Sequence, residues 1–273
     1  MASGKYKLLV TDVDGTLINK AGEISAENRE AIALARESGI QVSISTGRSV
    51  SSCLRYIDQL ELDNHHIFFD GALISHADLN EPVHMHTIEP AMVKTLIEYA
   101  DSRDIDLEFA TIRKYFTRRE TWSTDIKRRY FNIETIIGDL TGLWERENII
   151  RADMVIRSAP DEAKSAAFID HFTGRLQFTQ AHTPRYPDVT FINVTASGLS
   201  KGKALETLAA HLGIPLEATV AVGDWLNDIP LLSTAGLGIA MGNAHEELKA
   251  IADHITLDVE EHGLAAAIRD FLL

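Results

Sequence analysis

Short apolar segments alternate with helical patterns at both ends of the chain, and this alternation is the feature that most restricts its fold. In the first 75 residues we predict three strands and two helices, in the order 7–13, 25–38, 40–45, 49–60 and 67–69. In the last 75 residues we predict helices that begin near 201, 228, 244 and 260, with strands at 219–222 and 237–240. Such alternation is typical of a doubly wound, mainly parallel sheet with helices on both faces. We therefore expect an α/β fold.

The middle of the chain lacks this alternation. Residues 82–196 predict strands and helices without a regular order, and their acidic and basic side chains nearly balance. The acidic excess of the chain therefore lies in its two ends. We expect residues 1–81 and 197–273 to form one core and residues 82–196 to form an inserted α+β domain.

The composition excludes several classes of protein. Apolar residues make up 45% of the chain and charged residues 24%, as in ordinary folded domains, and Cys53 has no second cysteine to pair with. The 40 acidic and 26 basic side chains give a net charge of −14, which disfavours nucleic acid and anionic membrane surfaces as partners. No apolar run approaches the length of a membrane span, and no signal peptide precedes the first strand, so we expect a cytoplasmic location.

An acidic pair follows the first predicted strand, in the segment Asp12-Val13-Asp14-Gly15-Thr16. Side chains two residues apart on an extended chain point the same way, so both carboxylates would project into one space at the carboxyl end of the strand. Like charges at about 4 Å repel by roughly 1 kcal/mol in water and about 4 kcal/mol at an effective dielectric constant of 20. The pair therefore indicates a bound cation or a shared proton.

Three further polar segments follow predicted strands or open predicted helices. A hydroxyl and turn amides at a helix start can bind phosphate, although a simple capping residue gives the same pattern. In the segment 200–203, a lysine at a helix start is unfavourable next to the helix dipole unless it binds an anion. In the segment 223–228, carboxylate and amide oxygens are ligands that suit Mg²⁺. In a doubly wound sheet all of these would gather at one edge. The segments are Ser45-Thr46-Gly47-Arg48, Ser200-Lys201-Gly202-Lys203 and Gly223-Asp224-Trp225-Leu226-Asn227-Asp228.

With these four segments the chain resembles the haloacid dehalogenase superfamily, and within it the Cof-type phosphatases with a large α/β cap (class IIB). The family pattern is DxDGT, TGR, SKG and GDxxND in this order, followed by an AMGNA segment that matches residues 240–244. The resemblance spans nearly the whole chain and implies that residues 82–196 form the cap. It also implies a Mg²⁺-dependent hydrolase of small phosphorylated metabolites, with sugar phosphates as the first expectation. Two alternatives stay open: a phosphotransferase or phosphomutase of the same superfamily, and a non-catalytic protein that binds a phosphometabolite.

The resemblance further implies a role for each matching side chain. Asp12 would be the nucleophile and Asp14 the general acid and then the general base, with Thr46 and Lys201 completing the catalytic set. The residues that would contact the phosphate are Thr46, Gly47, Lys201 and Asn227. The residues that would hold Mg²⁺ or its waters are Asp12, Asp14 through its backbone carbonyl, Asp224 and Asp228.

Three positions depart from the family pattern without removing a catalytic group. Asp70 stands where the family commonly has Asn, Trp225 where it has a small or polar residue, and Asn193 where it often has Glu. We therefore expect these departures to affect substrate fit more than chemistry.

The sequence also contains basic and histidine clusters. A basic stretch could form a solvated face or contact an anionic substrate. The pair His65-His66 lacks the ligand spacing of a metal site, so we expect surface or hinge positions. The basic side chains are Arg113, Lys114, Arg118, Arg119, Lys127, Arg128 and Arg129.

Overall fold

Three β-sheets and the helices around them make up the protein, in a computed structural model that describes residues 4–183 and 186–273. The strands are β1 (Leu8–Thr11), β2 (Gln41–Ile44), β3 (His66–Phe68), β4 (Leu73–Ser75), β5 (His84–Met85), β6 (Glu108–Ala110), β7 (Tyr115–Thr117), β8 (Thr135–Ile137), β9 (Arg151–Ile156), β10 (Leu176–Thr183), β11 (Tyr186–Ala196), β12 (Thr219–Gly223), β13 (Leu237–Ala240) and β14 (His254–Ile255). The α-helices are α1 (Ala26–Glu37), α2 (Val50–Gln59), α3 (Pro90–Arg103), α4 (Trp122–Phe131), α5 (Leu143–Arg146), α6 (Ala159–Phe172), α7 (Lys201–Leu212), α8 (Ile229–Thr234), α9 (Glu246–Ile251) and α10 (Gly263–Phe271).

The first sheet is parallel and joins the two ends of the chain in the order β14-β13-β12-β1-β2. Strand β1 lies between β12 and β2, and all four of its residues are buried. The expected α/β fold with a parallel core sheet is confirmed. Because the strands run parallel, the residues that follow β1, β2 and β12 meet at one edge of the sheet.

Three strands outside residues 82–196 differ from the sequence prediction. Strand β3 lies beside β2, with an isolated parallel bridge between Ser45, just after β2, and Ile67, but its continuous pairing is antiparallel with β4 in the small sheet β3-β4-β5. The third strand is therefore present close to its predicted position, but it does not belong to the parallel sheet, because it pairs with β4, which follows it directly in the chain. Strands β4 and β14 are absent from the prediction, because with three and two residues they are too short to show a periodic pattern.

Polar caps define the starts of the two helices that matter most for the core. The Ser25 side chain accepts a hydrogen bond from the backbone N–H of Asn28 at the start of α1, and Ser200 accepts one from Lys203 at the start of α7. Each cap satisfies an N–H group that has no partner within its helix. The cap at Ser200 determines where α7 begins, and so it places Lys201 in the first turn.

The third sheet has six strands in the order β10-β11-β9-β6-β7-β8, and we call it the cap sheet. Its pairs are antiparallel except for β7 with β8. Helices α3 and α6 contribute to an apolar cluster on this sheet that is separate from the cluster around the parallel sheet, with members that include Leu96, Phe109, Phe168 and Val194. We propose that this part of the chain is the cap domain. The boundary predicted at residue 82 falls just before β5, which pairs with β4.

Within the part of the chain that the structure describes, we find no helix that combines the length and the apolar character needed to cross a membrane.

One histidine lies in the core of the small sheet. The expectation of a surface or hinge position is wrong for His66, which is fully buried in β3. Its Nδ1 accepts a hydrogen bond from the Ile44 amide at 3.3 Å, whereas its Nε2 has no partner among the described residues. Burial, together with repulsion from His76 and His65, lowers the pKa of His66 from 6.5 to about 3.

This buried histidine predicts an acid sensitivity of the fold. Between pH 6.5 and about 3, the unfolded chain binds a proton at His66 that the folded chain does not bind. The free energy of unfolding therefore falls as the pH drops below 6.5, by about 1.4 kcal/mol per pH unit from this group. We expect His66→Gln to remove this contribution, measured as the slope of unfolding free energy against pH. The matched change at the exposed His254 should leave the slope unchanged; equal slopes for all three proteins would contradict the prediction.

Candidate active site

A cavity of about 410 Å³ lies between the carboxyl edge of the parallel sheet and the cap sheet. On the core side it is lined by residues from all but one of the four sequence segments, and on the cap side by charged and apolar side chains. The core residues include Asp12, Asp14, Thr46, Gly47, Asp224 and Asn227, and the cap residues include Lys127, Phe131, Arg151, Asp153, Phe191 and Asn193.

The acidic pair enters the cavity because β1 ends immediately before it. The Asp12 amide donates to the Val222 carbonyl at 2.8 Å, which ties the turn to β12. Gly15 has a φ of +80°, and a Cβ atom there would stand 2.3 Å from Asp224 Oδ2. Only glycine therefore lets the turn pass so close to the Asp224 carboxylate.

Three carboxylates meet at one end of the cavity, and two of them, Asp12 and Asp224, line it. Ligand oxygens of Asp12, Asp224 and Asp228 lie within 4.8 Å of one another. Burial raises the pKa of Asp12 to about 7, with Lys201 opposing this shift and Asp228 adding to it. Burial, together with repulsion from Asp12 and Asp228, also raises the pKa of Asp224 well above its usual value. A cluster of buried carboxylates under mutual repulsion is the oxygen donor set that a hard divalent cation such as Mg²⁺ prefers.

Lys201 provides the positive charge next to this cluster. Its Nζ donates at 2.6 Å to Asp12 Oδ1 and at 2.6 Å to Asp228 Oδ1, and only 1% of the residue is exposed. Burial alone would lower the pKa of Lys201, but attraction to Asp12 and Asp228 outweighs burial and raises it. Lys201 is therefore a permanent cation at the floor of the site.

Asp228 shapes the loop that carries Asp224. Its Oδ2 accepts from the backbone N–H groups of Asp224 at 3.0 Å and Trp225 at 3.2 Å, while its Oδ1 accepts from Lys201. Asp228 is fully buried and is not a lining residue of the cavity. Its carboxylate thus orders the turn after β12 and belongs to the three-carboxylate cluster as well.

The Asp14 carboxylate points away from the three-carboxylate cluster and towards Arg48. It accepts two hydrogen bonds from Arg48, each of 2.6 Å, in a bidentate pair. The Arg48 guanidinium lies 4.9 Å from the centre of the Phe131 ring and 5.3 Å from that of Tyr130. Among the described residues, the Asp14 side chain is not part of the three-carboxylate cluster. Arg48 was not assigned a role from the sequence, although the TGR segment that contains it was recognised.

The segment after β2 packs against the turn after β3. Thr46 is buried, and its Oγ1 accepts from the Arg48 amide at 3.1 Å. The Thr46 carbonyl accepts from the Asp70 amide at 3.0 Å, and the Gly47 carbonyl accepts from Arg151 of the cap sheet. The predicted phosphate-binding residues therefore lie directly beside Asp70, one of the three departures from the family pattern.

Two of the three departures contact each other. Asp70 accepts at 2.9 Å from Asn193 of β11, and its second oxygen accepts at 2.9 Å from Asn227. Trp225 lines the cavity instead, as a bulky wall next to Asn227. The sequence located these positions but did not show that Asp70 and Asn193 are partners.

The basic stretch divides into six exposed or half-buried side chains and one buried one. The six form surface ion pairs or hydrogen bonds, for example Lys114 with Glu147 at 2.7 Å and Arg118 with Asp101 at 2.5 Å. Lys127 is buried, pairs with Glu108 and, at 2.9 Å, with Asp153, and lines the cavity. The solvated-face interpretation thus holds for all of the stretch except Lys127.

Comparison with known proteins agrees with this arrangement. Residues 9–268 match the family of haloacid dehalogenase-like hydrolases. The chain is 33% identical to Phosphatase YwpJ of Bacillus subtilis, covering 97% of this chain and 100% of that protein. It is 31% identical to the 5-amino-6-(5-phospho-D-ribitylamino)uracil phosphatase YcsE of the same organism, covering 98% and 96%. The solved structure of the HAD subclass IIB sugar phosphatase BT4131 superposes with a TM-score of 0.80 at 25% identity, covering 97% and 98%.

The resemblance to Cof-type proteins is thereby confirmed over nearly the whole chain. The TM-score of 0.80 over nearly the full length of both chains shows that this chain shares its fold with that solved structure. The chain therefore belongs to the family of haloacid dehalogenase-like hydrolases and is an enzyme related to phosphatases.

Proposed function

We propose that the protein is a Mg²⁺-dependent phosphatase that hydrolyses small phosphomonoesters through an aspartyl-phosphate intermediate. The observation that carries this proposal is the position of Lys201, whose Nζ lies 2.6 Å from both Asp228 and Asp12, the carboxylate that lines the cavity. An anionic carboxylate can approach an anionic phosphate only where positive charge offsets the repulsion. Lys201 provides one such charge, and Mg²⁺ bound by Asp12, the Asp14 carbonyl and Asp224 would supply the Lewis acid.

The first step of the proposed reaction transfers the phosphoryl group to the protein. An Asp12 carboxylate oxygen attacks phosphorus, the Asp12–phosphorus bond forms, and the bond to the leaving-group oxygen breaks. Asp14 donates a proton to that oxygen and releases the alcohol. Thr46, Gly47, Lys201 and Asn227 would hold the phosphoryl oxygens during the transfer.

The second step returns the protein to its starting state. Asp14, now ionised, takes a proton from water, whose oxygen attacks phosphorus and breaks the bond to Asp12. The bidentate bond from Arg48 suits the ionised form of Asp14 that this step requires. To act as the acid in the first step, Asp14 must be protonated and must give up at least one of its bonds to Arg48.

The cavity and the relatives support a small organic phosphate as the substrate. A volume of about 410 Å³ accommodates a metabolite rather than a macromolecule. One relative is named as a phosphatase of a phosphorylated ribitylamino-uracil and one solved neighbour as a sugar phosphatase. We therefore propose phosphorylated sugars and sugar alcohols as the first class to test.

A phosphate-release assay tests the proposal. The purified protein is incubated with p-nitrophenyl phosphate and a panel of sugar phosphates, in Mg²⁺ and in excess EDTA. We expect free phosphate in Mg²⁺, none in EDTA, and full recovery when Mg²⁺ is added back. Isomerised sugar phosphate without free phosphate would indicate a phosphotransferase or mutase instead. Tight binding of a sugar phosphate without turnover would indicate a non-catalytic protein.

A further inference from the structure

We propose that Asp70 is a positioning residue that links the cap sheet to the phosphate site and holds Asn227 in place when the cap is closed. The inference rests on the proposed function only for its kinetic consequences. Asp70 itself does not line the cavity, but two of its three side-chain partners, Asn193 and Asn227, do. It therefore acts through other residues rather than on the substrate.

The two oxygens of the Asp70 carboxylate receive three donors. Oδ2 accepts from Thr179 Oγ1 and from Asn193 Nδ2, both at 2.9 Å, and Oδ1 accepts from Asn227 Nδ2 at 2.9 Å. Thr179 and Asn193 are register partners on β10 and β11, whereas Asn227 follows β12 of the parallel sheet. One carboxylate thus joins the cap sheet to the turn that carries the predicted phosphate contact.

With the observed orientations of the Asn193 and Asn227 amides, this geometry requires a carboxylate. An ionised aspartate only accepts hydrogen bonds, and each of its oxygens can accept two, whereas an amide offers one accepting oxygen and one donating nitrogen. With an amide at position 70, its nitrogen would face Asn193 or Asn227, and that partner would have to turn its own oxygen towards position 70 to keep the contact. Because only 4% of Asp70 is exposed, water cannot readily replace the lost partner.

The backbone around Asp70 holds the carboxylate in this position. Phe69, Asp70 and Gly71 have φ angles of +52°, +54° and +101° in succession. A left-handed conformation is unfavourable for a bulky residue such as Phe69 and is maintained only where surrounding contacts enforce it. At Gly71 a Cβ atom would stand 2.6 Å from the carbonyl oxygen of Ser200, the residue before Lys201.

A second bridge from the cap sheet supports the first. Arg151 of β9 donates to the Gly47 carbonyl, and its guanidinium lies 4.8 Å from the centre of the Phe69 ring. Arg151 thus contacts Phe69, which precedes Asp70 in the chain, and Gly47, which lies beside Asp70 in space. The Asp70 amide itself donates to the Thr46 carbonyl. Displacement of the cap sheet would remove Asn193, Thr179 and Arg151 together, and would leave Asp70 with Asn227 alone.

A reciprocal exchange tests the link. Asp70→Asn should lower kcat/KM about tenfold or more, since a buried bond to a charged group is lost, with most of the loss in kcat. In Asp70→Asn/Asn193→Asp the amide at position 70 can donate to the new carboxylate and still accept from Asn227. We expect the double variant to recover most of kcat, although each single variant is impaired. The control Asp170→Asn removes a carboxylate from an exposed position on α6 and should match the wild type.

Hydrogen exchange separates the link from the enzymatic function. In Asp70→Asn, amides of residues 176–181 and 189–196 in β10 and β11 should exchange faster than in the wild type, and the double variant should slow them again. If the wild type shows no turnover, but its amides in β10 and β11 exchange more slowly than those of Asp70→Asn, the proposed function is refuted and the link is supported. Wild-type kinetics and exchange in Asp70→Asn would overturn the link, and so would a double variant no better than the single variants.

Discussion

Replacing Asp12 with asparagine is expected to lower kcat for phosphate release by at least about a thousandfold, because an amide cannot form the aspartyl-phosphate. Asparagine keeps the shape of the side chain, so the cavity should persist. Asp12 is only 6% exposed and lies 2.6 Å from Lys201, which places its carboxylate where the transferred group must arrive. Phosphate release at saturating substrate is the measurement, with the unfolding temperature recorded in parallel to show that the variant is folded.

A trapping experiment makes this prediction specific to the intermediate. Wild-type protein quenched in acid during turnover of a radiolabelled phosphate ester should carry covalent label, and Asp12→Asn should carry none. The exposed aspartate of α2, changed as Asp58→Asn, is the matched control and should label like the wild type. Undiminished turnover by Asp12→Asn would refute the assignment of the nucleophile.

Replacing Lys201 with methionine is expected to damage both stability and activity. The change leaves Asp12 and Asp228 without the ammonium group that lies 2.6 Å from each, in a cluster that also contains Asp224. Removing one partner of a buried ion pair costs about 3–5 kcal/mol, because the remaining charges are buried without compensation. Denaturant unfolding in EDTA should show this loss, and phosphate release in Mg²⁺ should fall to near background.

Lys203 supplies the matched control for this experiment. It lies two residues further along α7 and is exposed, and its ammonium group donates to the Gly198 carbonyl at 2.7 Å. Lys203→Met should therefore unfold within about 0.5 kcal/mol of the wild type and retain its activity. If Lys201→Met were as stable and as active as Lys203→Met, the buried lysine would have neither role.

The meeting of the polar side chains at one edge of the sheet could be predicted, because it depends on strand ends and helix caps that short segments of sequence determine. Asp12 and Asp224 follow β1 and β12 directly, Thr46 is the second residue after β2, and the carboxyl ends of parallel strands meet at one edge of the sheet. Lys201 could be located in the same way, because the cap at Ser200 determines where α7 begins. In both cases a short segment contains the information that places the side chain.

Contacts between distant segments were not visible in the sequence. Arg48 was present in a recognised segment, but nothing local to it indicates a bidentate bond to Asp14, 34 residues earlier. Lys127 belongs to a run of basic residues whose other members are solvated, and it is buried only because Glu108 and Asp153 of the cap sheet face it. Such partners are chosen by strand order and register rather than by sequence spacing.

The sequence by itself therefore determined the parallel sheet, the edge at which the polar segments gather, and the identity of the acidic and basic groups there. Tertiary structure decided that β3 pairs with β4, that His66 is buried, and that Asp70 joins Asn193 across 123 residues. The physical reason is the distance along the chain over which each kind of interaction acts. Strand, turn and helix-cap preferences act over a few residues, whereas the partner of a buried polar group depends on which sheets pack face to face.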